Sequence, residues 1–167
     1  LPGGAAAGIS DSKLPDMQAG WEQGITNVMA GLSGLNMGYE AVGMHASLLG
    51  YCLESLVMGD DILGQALRCV RGIDVTEDAL SIEVMRAVCL EGPGHYLGSD
   101  QTLALMQTEY IYPAVGNRMS PKEWGEAGKP KLLDAAIARK NAILEKAGST
   151  LAPDIDRAIR AQFNIVI

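Results

Sequence analysis

The first 59 residues carry only six charged side chains, Asp11, Lys13, Asp16, Glu22, Glu40 and Glu54, but eleven of the chain's twenty glycines. Ordinary sequences are about 25% charged and about 7% glycine, so the opening third has the composition of something enclosed on every side. A chain of 167 residues cannot enclose that much of itself. The expectation is therefore the carboxy-terminal piece of a larger protein. It starts at Leu1 rather than Met and runs directly into Pro2, Gly3 and Gly4, as a cut in a loop would leave it.

The formal net charge is −7, divided as −4 over residues 1 to 72, −5 over 73 to 130 and +2 over 131 to 167. No basic face is available to follow a phosphate backbone, and nucleic acid is not an expected partner. Cys52, Cys69 and Cys89 form no CxxC pair, which fits three buried thiols in a reducing compartment and a cytoplasmic location. No apolar run approaches the roughly 20 residues of a spanning helix, and Leu1 opens no signal peptide. A membrane is not expected either.

Leu1 to Leu14 reads as a small, flexible segment, and Pro15 suits the first position of a helix running to Ser33. Trp21, Ile25, Val28, Met29 and Leu32 form its apolar face, while Gly20, Gly24, Asn27 and Gly31 mark a neighbouring face that another backbone can approach closely. Leu35 to Val42 alternates as a strand. Helices are predicted over Met44 to Ser55 and over Asp60 to Arg71, the second with acids at its start and Arg68 and Arg71 at its end, as the helix dipole favours. Asp74 with Glu77 has the form of a capping box for a helix through Leu80 and Val88, and Ser99 caps another through Tyr110. Ser120, Pro121 and Glu123 form a second box, followed by helices over Leu132 to Ala147 and Pro153 to Phe163.

A single strand among so many helices is not a balanced α/β domain, but it is how a (β/α)8 barrel ends. The expected fold class is α/β, the carboxy-terminal portion of a TIM barrel plus a helical extension. Residues 1–72 would be the last part of the barrel and 73–167 the extension packed on it, mostly helical when isolated. An autonomous helical bundle with Leu35 to Val42 as a buried loop is the alternative.

Three segments carry a family likeness. They are Ser10-Asp11-Ser12-Lys13-Leu14-Pro15-Asp16 with Gln18-Ala19-Gly20, then Ser47-Leu48-Leu49-Gly50 leading to Glu54-Ser55-Leu56-Val57, then Gly94-His95-Tyr96-Leu97-Gly98 with Thr102-Leu103 and Glu109-Tyr110. The Trp124 to Gly128 stretch continues it. In this order and spacing the chain resembles the carboxy-terminal third of the trimethylamine methyltransferase (MttB) family. The resemblance implies a TIM barrel that moves a methyl group from a tertiary or quaternary amine to the cobalt of a separate corrinoid protein. It thus implies a corrinoid (cobalamin) cofactor carried by that partner, with none bound covalently here. The trimethylamine enzymes of the family use pyrrolysine at or near the glycine-rich opening, and Gly3 to Ile9 holds only ordinary residues. The resemblance therefore points to a pyrrolysine-lacking member acting on a quaternary amine such as a betaine.

In such chemistry a reduced cobalt is itself the nucleophile, so the chain need not provide Ser, Cys or His for attack, and its catalytic residues are not assigned. It must hold a methylammonium cation in line with the metal, which calls for aromatic faces and carboxylates in a desolvated pocket. Tyr39 and Glu40, at the end of the last strand, stand where barrel active sites collect. The plainer reading of Glu40 is an ion pair or a helix cap. Asp11 and Lys13, on a glycine-flanked loop, suit contact with substrate or corrinoid, or a local ion pair. His45 can donate to a substrate carboxylate or serve as a satisfied core histidine. Cys89 and His95 lack further ligands at zinc spacing, and no metal site is expected. Tyr110, Tyr112 and Trp124 read as aromatic core under a loop, and Met17, Met29, Met37 and Met44 as core filler. The piece alone is expected to be inactive and to associate with itself. A helical interaction or assembly module without chemistry is the alternative function.

Overall fold

The glycine-rich opening is a strand. In this computed structural model, which describes residues 2–148 and 151–165, β1 (Gly4–Ala6) pairs in parallel with β2 (Met37–Tyr39), Gly4 opposite Met37 and Ala6 opposite Tyr39. The sequence reading had a flexible lead there, and a longer strand over Leu35 to Val42. Three residues without bulky side chains give no alternation to detect, which is why β1 was hidden. The crossover is α1 (Met17–Leu32), so the chain starts with a parallel β-α-β unit. Leu1, 149–150 and 166–167 lie outside the described residues, and with them the proposed cut and the last two residues of the expected extension.

Asp16 caps α1, its carboxylate accepting from the Ala19 N–H, so Pro15 precedes the helix rather than opening it. The segment after β2 departs further from the sequence reading. Met44 to Ser55 is not a helix: β3 (Met44–His45) and β4 (Gly50–Tyr51) form an antiparallel hairpin, Met44 opposite Tyr51. Its turn places Ala46, Ser47 and Leu48 in left-handed backbone conformation, which no helical period in the sequence announces. A single helix, α2 (Leu53–Arg71), follows and runs through Gly59. α2 is central, packing on α1 on one side and on α7 (Leu132–Lys146) on the other.

Short helices join them: α3 (Glu77–Leu80), α4 (Ile82–Cys89), α5 (Asp100–Leu105) and α6 (Pro121–Glu126), with α8 (Pro153–Gln162) last. Thr76, not Asp74, caps α3 through its hydroxyl. Ser99 caps α5 as expected, though α5 stops at Leu105 rather than Tyr110. The box of Ser120 and Glu123 forms in full, with Pro121 at the first helical position. The fold is α/β, about half helical with two small sheets and no closed barrel among the described residues.

The buried apolar residues are mostly small: Ala7, Ala19, Ala66, Val88 and Ala136. Large apolar side chains lie outside, including the stripe expected to be the inner face of α1: Met17 is 80% exposed, Trp21 59%, Ile25 61% and Met29 62%. The opening third thus has the composition of an interior that this chain does not enclose. Met17, Met29 and Met37 are not core, and Tyr110, Tyr112 and Trp124 are surface residues. Nor are the thiols all buried: Cys69 and Cys89 are exposed and Cys52 is half-buried. Arg68 and Arg71 at the end of α2 both grip Glu109, at 2.7 and 2.6 Å, fastening the segment after α5.

Candidate functional site: the rim beyond the parallel strands

Past the carboxy-terminal ends of β1 and β2 the two backbones stay together. The Ala7 N–H donates to the Tyr39 carbonyl and the Ser10 N–H to that of Met44. Gly8 lies so close that a Cβ there would sit 1.7 Å from the Ala41 oxygen, with φ at +146°, so only glycine fits. The loop of residues 10–14 then meets the hairpin: the Ala46 N–H donates to Ser12 O and the Ser47 N–H to Ser10 O.

α1 supports this rim from below. Glu22 accepts the Ser10 hydroxyl at 2.6 Å and the Asp11 N–H at 2.9 Å on one oxygen, and the Gln18 amide at 2.9 Å on the other. The Ser10 hydroxyl, then the Gln18 amide, hold its carboxyl below the usual carboxylate range. Next to Glu22 and one turn further on, Gln23 and Asn27 are buried and donate to the carbonyls of Met44 and Ala41. Ser12 joins loop to cap, donating to Asp16, whose carboxyl is held low by the Ala19 N–H first and this hydroxyl second.

His45 is only 4% exposed, and both ring nitrogens are engaged. Nδ1 lies 3.3 Å from the Ser12 carbonyl, which can only accept, so the proton is assigned to Nδ1. Nε2, 2.7 Å from the buried Ser55 hydroxyl, is then an acceptor in the neutral ring. His45 ties the loop to α2. As placed, it would contact a substrate carboxylate only by giving up one of these bonds.

The other candidates face outward. Asp11 and Lys13 are exposed; Lys13 Nζ donates to the Asp11 carbonyl at 2.8 Å, and the Ser47 hydroxyl donates to the Asp11 carboxylate. The plainer reading had an ion pair here, but Lys13 meets the Asp11 backbone carbonyl rather than its carboxylate, and one Asp11 carboxylate oxygen has no partner among the described residues. Tyr39 is 47% exposed at the end of β2. Glu40 is exposed, takes φ of +53°, and makes no hydrogen bond or ion pair with the described residues. A non-glycine residue in that region is under local strain, which surrounding structure must sustain. Four of the six such residues, Glu40, Ala46, Ser47 and Leu48, stand on this rim. Sequence reasoning found the outward carboxylates but missed the support from Glu22 and Gln23; Gln23 stands four residues before Asn27 on one face of the helix, and that polar pair was the available signal.

A cleft of about 530 Å³ adjoins the network, between the start of α1, α2 and the loop of residues 113–118, lined by Trp21, Met58, Ile62 and Leu132, with Gln23 and Ser55 also on its wall. Asp61, also in its lining, accepts the successive backbone N–H groups of Ala114, Val115 and Gly116 and so fixes that loop. Elsewhere His95 is exposed, and Tyr96 pairs with Cys89 at 3.3 Å, a contact that pushes the phenol up. No group of three or more His, Cys, Asp or Glu among the described residues could hold a metal ion. No described helix is long and apolar enough to cross a membrane.

Comparison with known proteins adds three findings. Residues 1–165 match the family described as trimethylamine methyltransferase (MTTB). The glycine betaine methyltransferase of Desulfitobacterium hafniense is 29% identical over 163 residues, 96% of this chain and 33% of that protein. Trimethylamine methyltransferase MttB of Methanosarcina thermophila is 32% identical over 148 residues, covering 86% and 28%, and MttB1 of Methanosarcina acetivorans 29% over 175 residues, covering 96% and 34%. The chain spans about a third of the length of these curated relatives.

Proposed function

The chain belongs to the trimethylamine methyltransferase family, and on that premise we propose that it forms part of an enzyme moving a methyl group from a quaternary amine to the cobalt of a corrinoid carried by a partner protein. The observation that carries this reading is the match over residues 1–165, with proteins named for glycine betaine and for trimethylamine at similar identity. The quaternary amine is favoured because Gly3 to Ile9 has only ordinary residues and is occupied by β1 and its exit. A quaternary nitrogen leaves as a neutral tertiary amine and needs no activating side chain.

The parallel β-α-β unit supports assigning residues 1–72 to the last part of a TIM barrel and 73–167 to a helical extension. The reaction would then take place at the rim beyond the strands. The donor set fits the role: carboxylates, a phenol and an ammonium bind a cation and its counter-charge but supply no nucleophile. The corrinoid supplies it. Glu40, without a partner among the described residues and held outward, takes the cationic group, with Tyr39 beside it in sequence offering an aromatic face. Asp11 and Lys13 border the same rim and meet the substrate or the corrinoid protein. A cytoplasmic location and a homo-oligomeric state complete the proposal.

The test mixes full-length enzyme, reduced corrinoid protein and a panel of amines, and follows the corrinoid's absorbance. Methylation from a betaine, carnitine or choline-like compound, with trimethylamine poor, is expected. Methylation from trimethylamine alone would overturn the substrate, and none from any amine would overturn the reaction.

A further inference from the structure

Asp11 is the rim residue whose surroundings are most completely built. Its N–H donates to Glu22, its carbonyl accepts from Lys13 Nζ, and its carboxylate accepts from the Ser47 hydroxyl. Two of these partners lie on exposed segments. The third, Glu22, comes from α1 and is half-buried, and its same oxygen takes the hydroxyl of Ser10, a residue with no exposed surface. Ser10 Oγ in turn accepts the Ser12 N–H at 2.9 Å, so one carboxylate oxygen orders Ser10, Asp11 and Ser12 together. Ser10 and Ser12 bond the hairpin backbone, but Asp11 makes no backbone–backbone hydrogen bond among the described residues, so the Glu22 carboxylate is the acceptor its N–H has.

We propose that Glu22 is a positioning residue: it fixes the backbone at Asp11 so that the Asp11 carboxylate is presented at the rim. The inference rests on the reading of this rim as the substrate site. Glu22 has no route to substrate of its own, because both its oxygens are occupied from the loop and from Gln18. Its effect passes through Asp11. The charge matters as well as the shape, since bonds from N–H and O–H to a carboxylate are shorter and stronger than to a neutral amide. In Glu22→Gln one side-chain oxygen becomes a donor, and the Ser10 hydroxyl and Asp11 N–H can no longer share a charged acceptor.

The first measurement is made by NMR on the folded protein and needs no activity. The Asp11 amide should report protonation of Glu22, moving as pH falls below the ordinary carboxylate range, and that inflection should vanish in Glu22→Gln. The other titratable groups on the network are Asp11 itself, Lys13 and Asp16, with His45 against the Ser12 carbonyl, and the variant leaves all of them in place. Exchange of the Asp11 and Ser12 amides should quicken at least 10-fold in Glu22→Gln.

The second measurement is steady-state kinetics of the full-length enzyme with glycine betaine and with trimethylamine as probes. Glu22→Gln and Asp11→Asn should each raise KM about 10-fold with kcat changed less than 3-fold, and the double variant should be no worse than Asp11→Asn alone, because the two act in one unit. Additive losses, or a Glu22→Gln variant that lowers only melting temperature, would overturn the positioning role. If Asp11→Asn leaves KM unchanged for both probes, the rim reading fails, and the positioning role for substrate falls with it. The NMR result then still says whether Glu22 orders the loop. If neither the amide inflection nor exchange changes in Glu22→Gln, the inference is wrong whatever the kinetics.

Discussion

Gly59, in the middle of α2, is a position where adding one methyl group should do measurable harm. A Cβ there would lie 2.4 Å from both Cβ and Cγ1 of Val42 and 3.0 Å from Cγ2. Ordinary carbon contacts are about 3.5–4.0 Å, so the overlap exceeds about 1 Å. The Val42 Cβ cannot rotate away, being fixed to its backbone. Overpacking costs roughly 1–3 kcal/mol, and an overlap this deep against an atom that cannot move belongs at the upper end, about 2–3 kcal/mol, against which alanine regains about 1 kcal/mol over glycine inside a helix. A net loss of about 1–2 kcal/mol is expected for Gly59→Ala. Gly64, five residues on in the same helix, has nothing within 4 Å of the built Cβ, and Gly64→Ala should gain up to about 1 kcal/mol. The two variants should differ by roughly 2–3 kcal/mol, or about 4–12 °C in melting temperature at 2–4 °C per kcal/mol for a domain of this size. Thermal melts by circular dichroism measure it. Val42→Ala should relieve Gly59→Ala only in part, since it leaves the Cβ in place. A Gly59→Ala protein as stable as Gly64→Ala would refute the claim that close backbone approach, not chance, keeps glycine in α2.

Glu40→Gln should lower kcat/KM of the full-length enzyme at least 10-fold while melting moves by less than about 1 °C, since the carboxylate has no described partner; a variant that unfolds yet stays active where folded would make Glu40 structural. Lys140→Ala should cost roughly 1 kcal/mol in a denaturant titration, because its 2.7 Å pair with Glu54, each side chain 22% exposed, ties α7 to α2; no loss would show the pair to be idle. Asp16, Glu22, Glu54 and Glu123 all have lowered carboxyls, the Ala19 N–H, Ser10, Lys140 and Ser120 respectively being the chief causes. Depressed folded values mean that their stabilisation is present above about pH 4.3 and lost as pH falls through the still lower folded values, so melting temperature should be flat from pH 7 to about 5 and fall below 4. Stability that rises on acidification would contradict the sign. The exposed stripe of Met17, Trp21, Ile25 and Met29 should make the 167-residue chain self-associate with rising concentration in light scattering; a rigid monomer throughout would refute this.

What the sequence disclosed followed local chemistry. The capping box at Ser120, the cap at Ser99 and the span of α7 need only neighbours in the chain, and all three form where expected. The glycine face of α1 was also legible: Gly31 sits against Val70 and Gly24 against Ile62, so α2 itself makes the close approach. The hairpin was not legible. Met44 to Leu49 has residues that a helix accepts, and its left-handed turn is held by bonds to Ser10, Asp11 and Ser12, more than thirty residues earlier. For the rim, the outward residues Asp11, Glu40 and Tyr39 could be named from strand-end logic. Which of them would be fixed, and by what, depends on contacts across the unit.

The inverted face of α1 explains how such a rim can exist. A helix beside a sheet ordinarily turns its apolar stripe inward. Here Ala19, Gln23 and Asn27 are the buried residues, and the apolar stripe points out. Burying two carboxamides is unfavourable unless each is hydrogen-bonded, and both are, to Met44 O and Ala41 O. Those carbonyls belong to the stretch just beyond β2, where the parallel ladder has ended and strained residues need support from outside the segment. With Glu22 holding the other loop, two successive turns of one helix meet groups that lie beyond the parallel ladder. The polar face of α1 is therefore tied to the rim's irregular backbone. Replacing Asn27 with leucine would add apolar burial, yet leave the Ala41 carbonyl without its donor among the described residues, whereas the Met44 carbonyl would keep the Ser10 N–H after loss of Gln23.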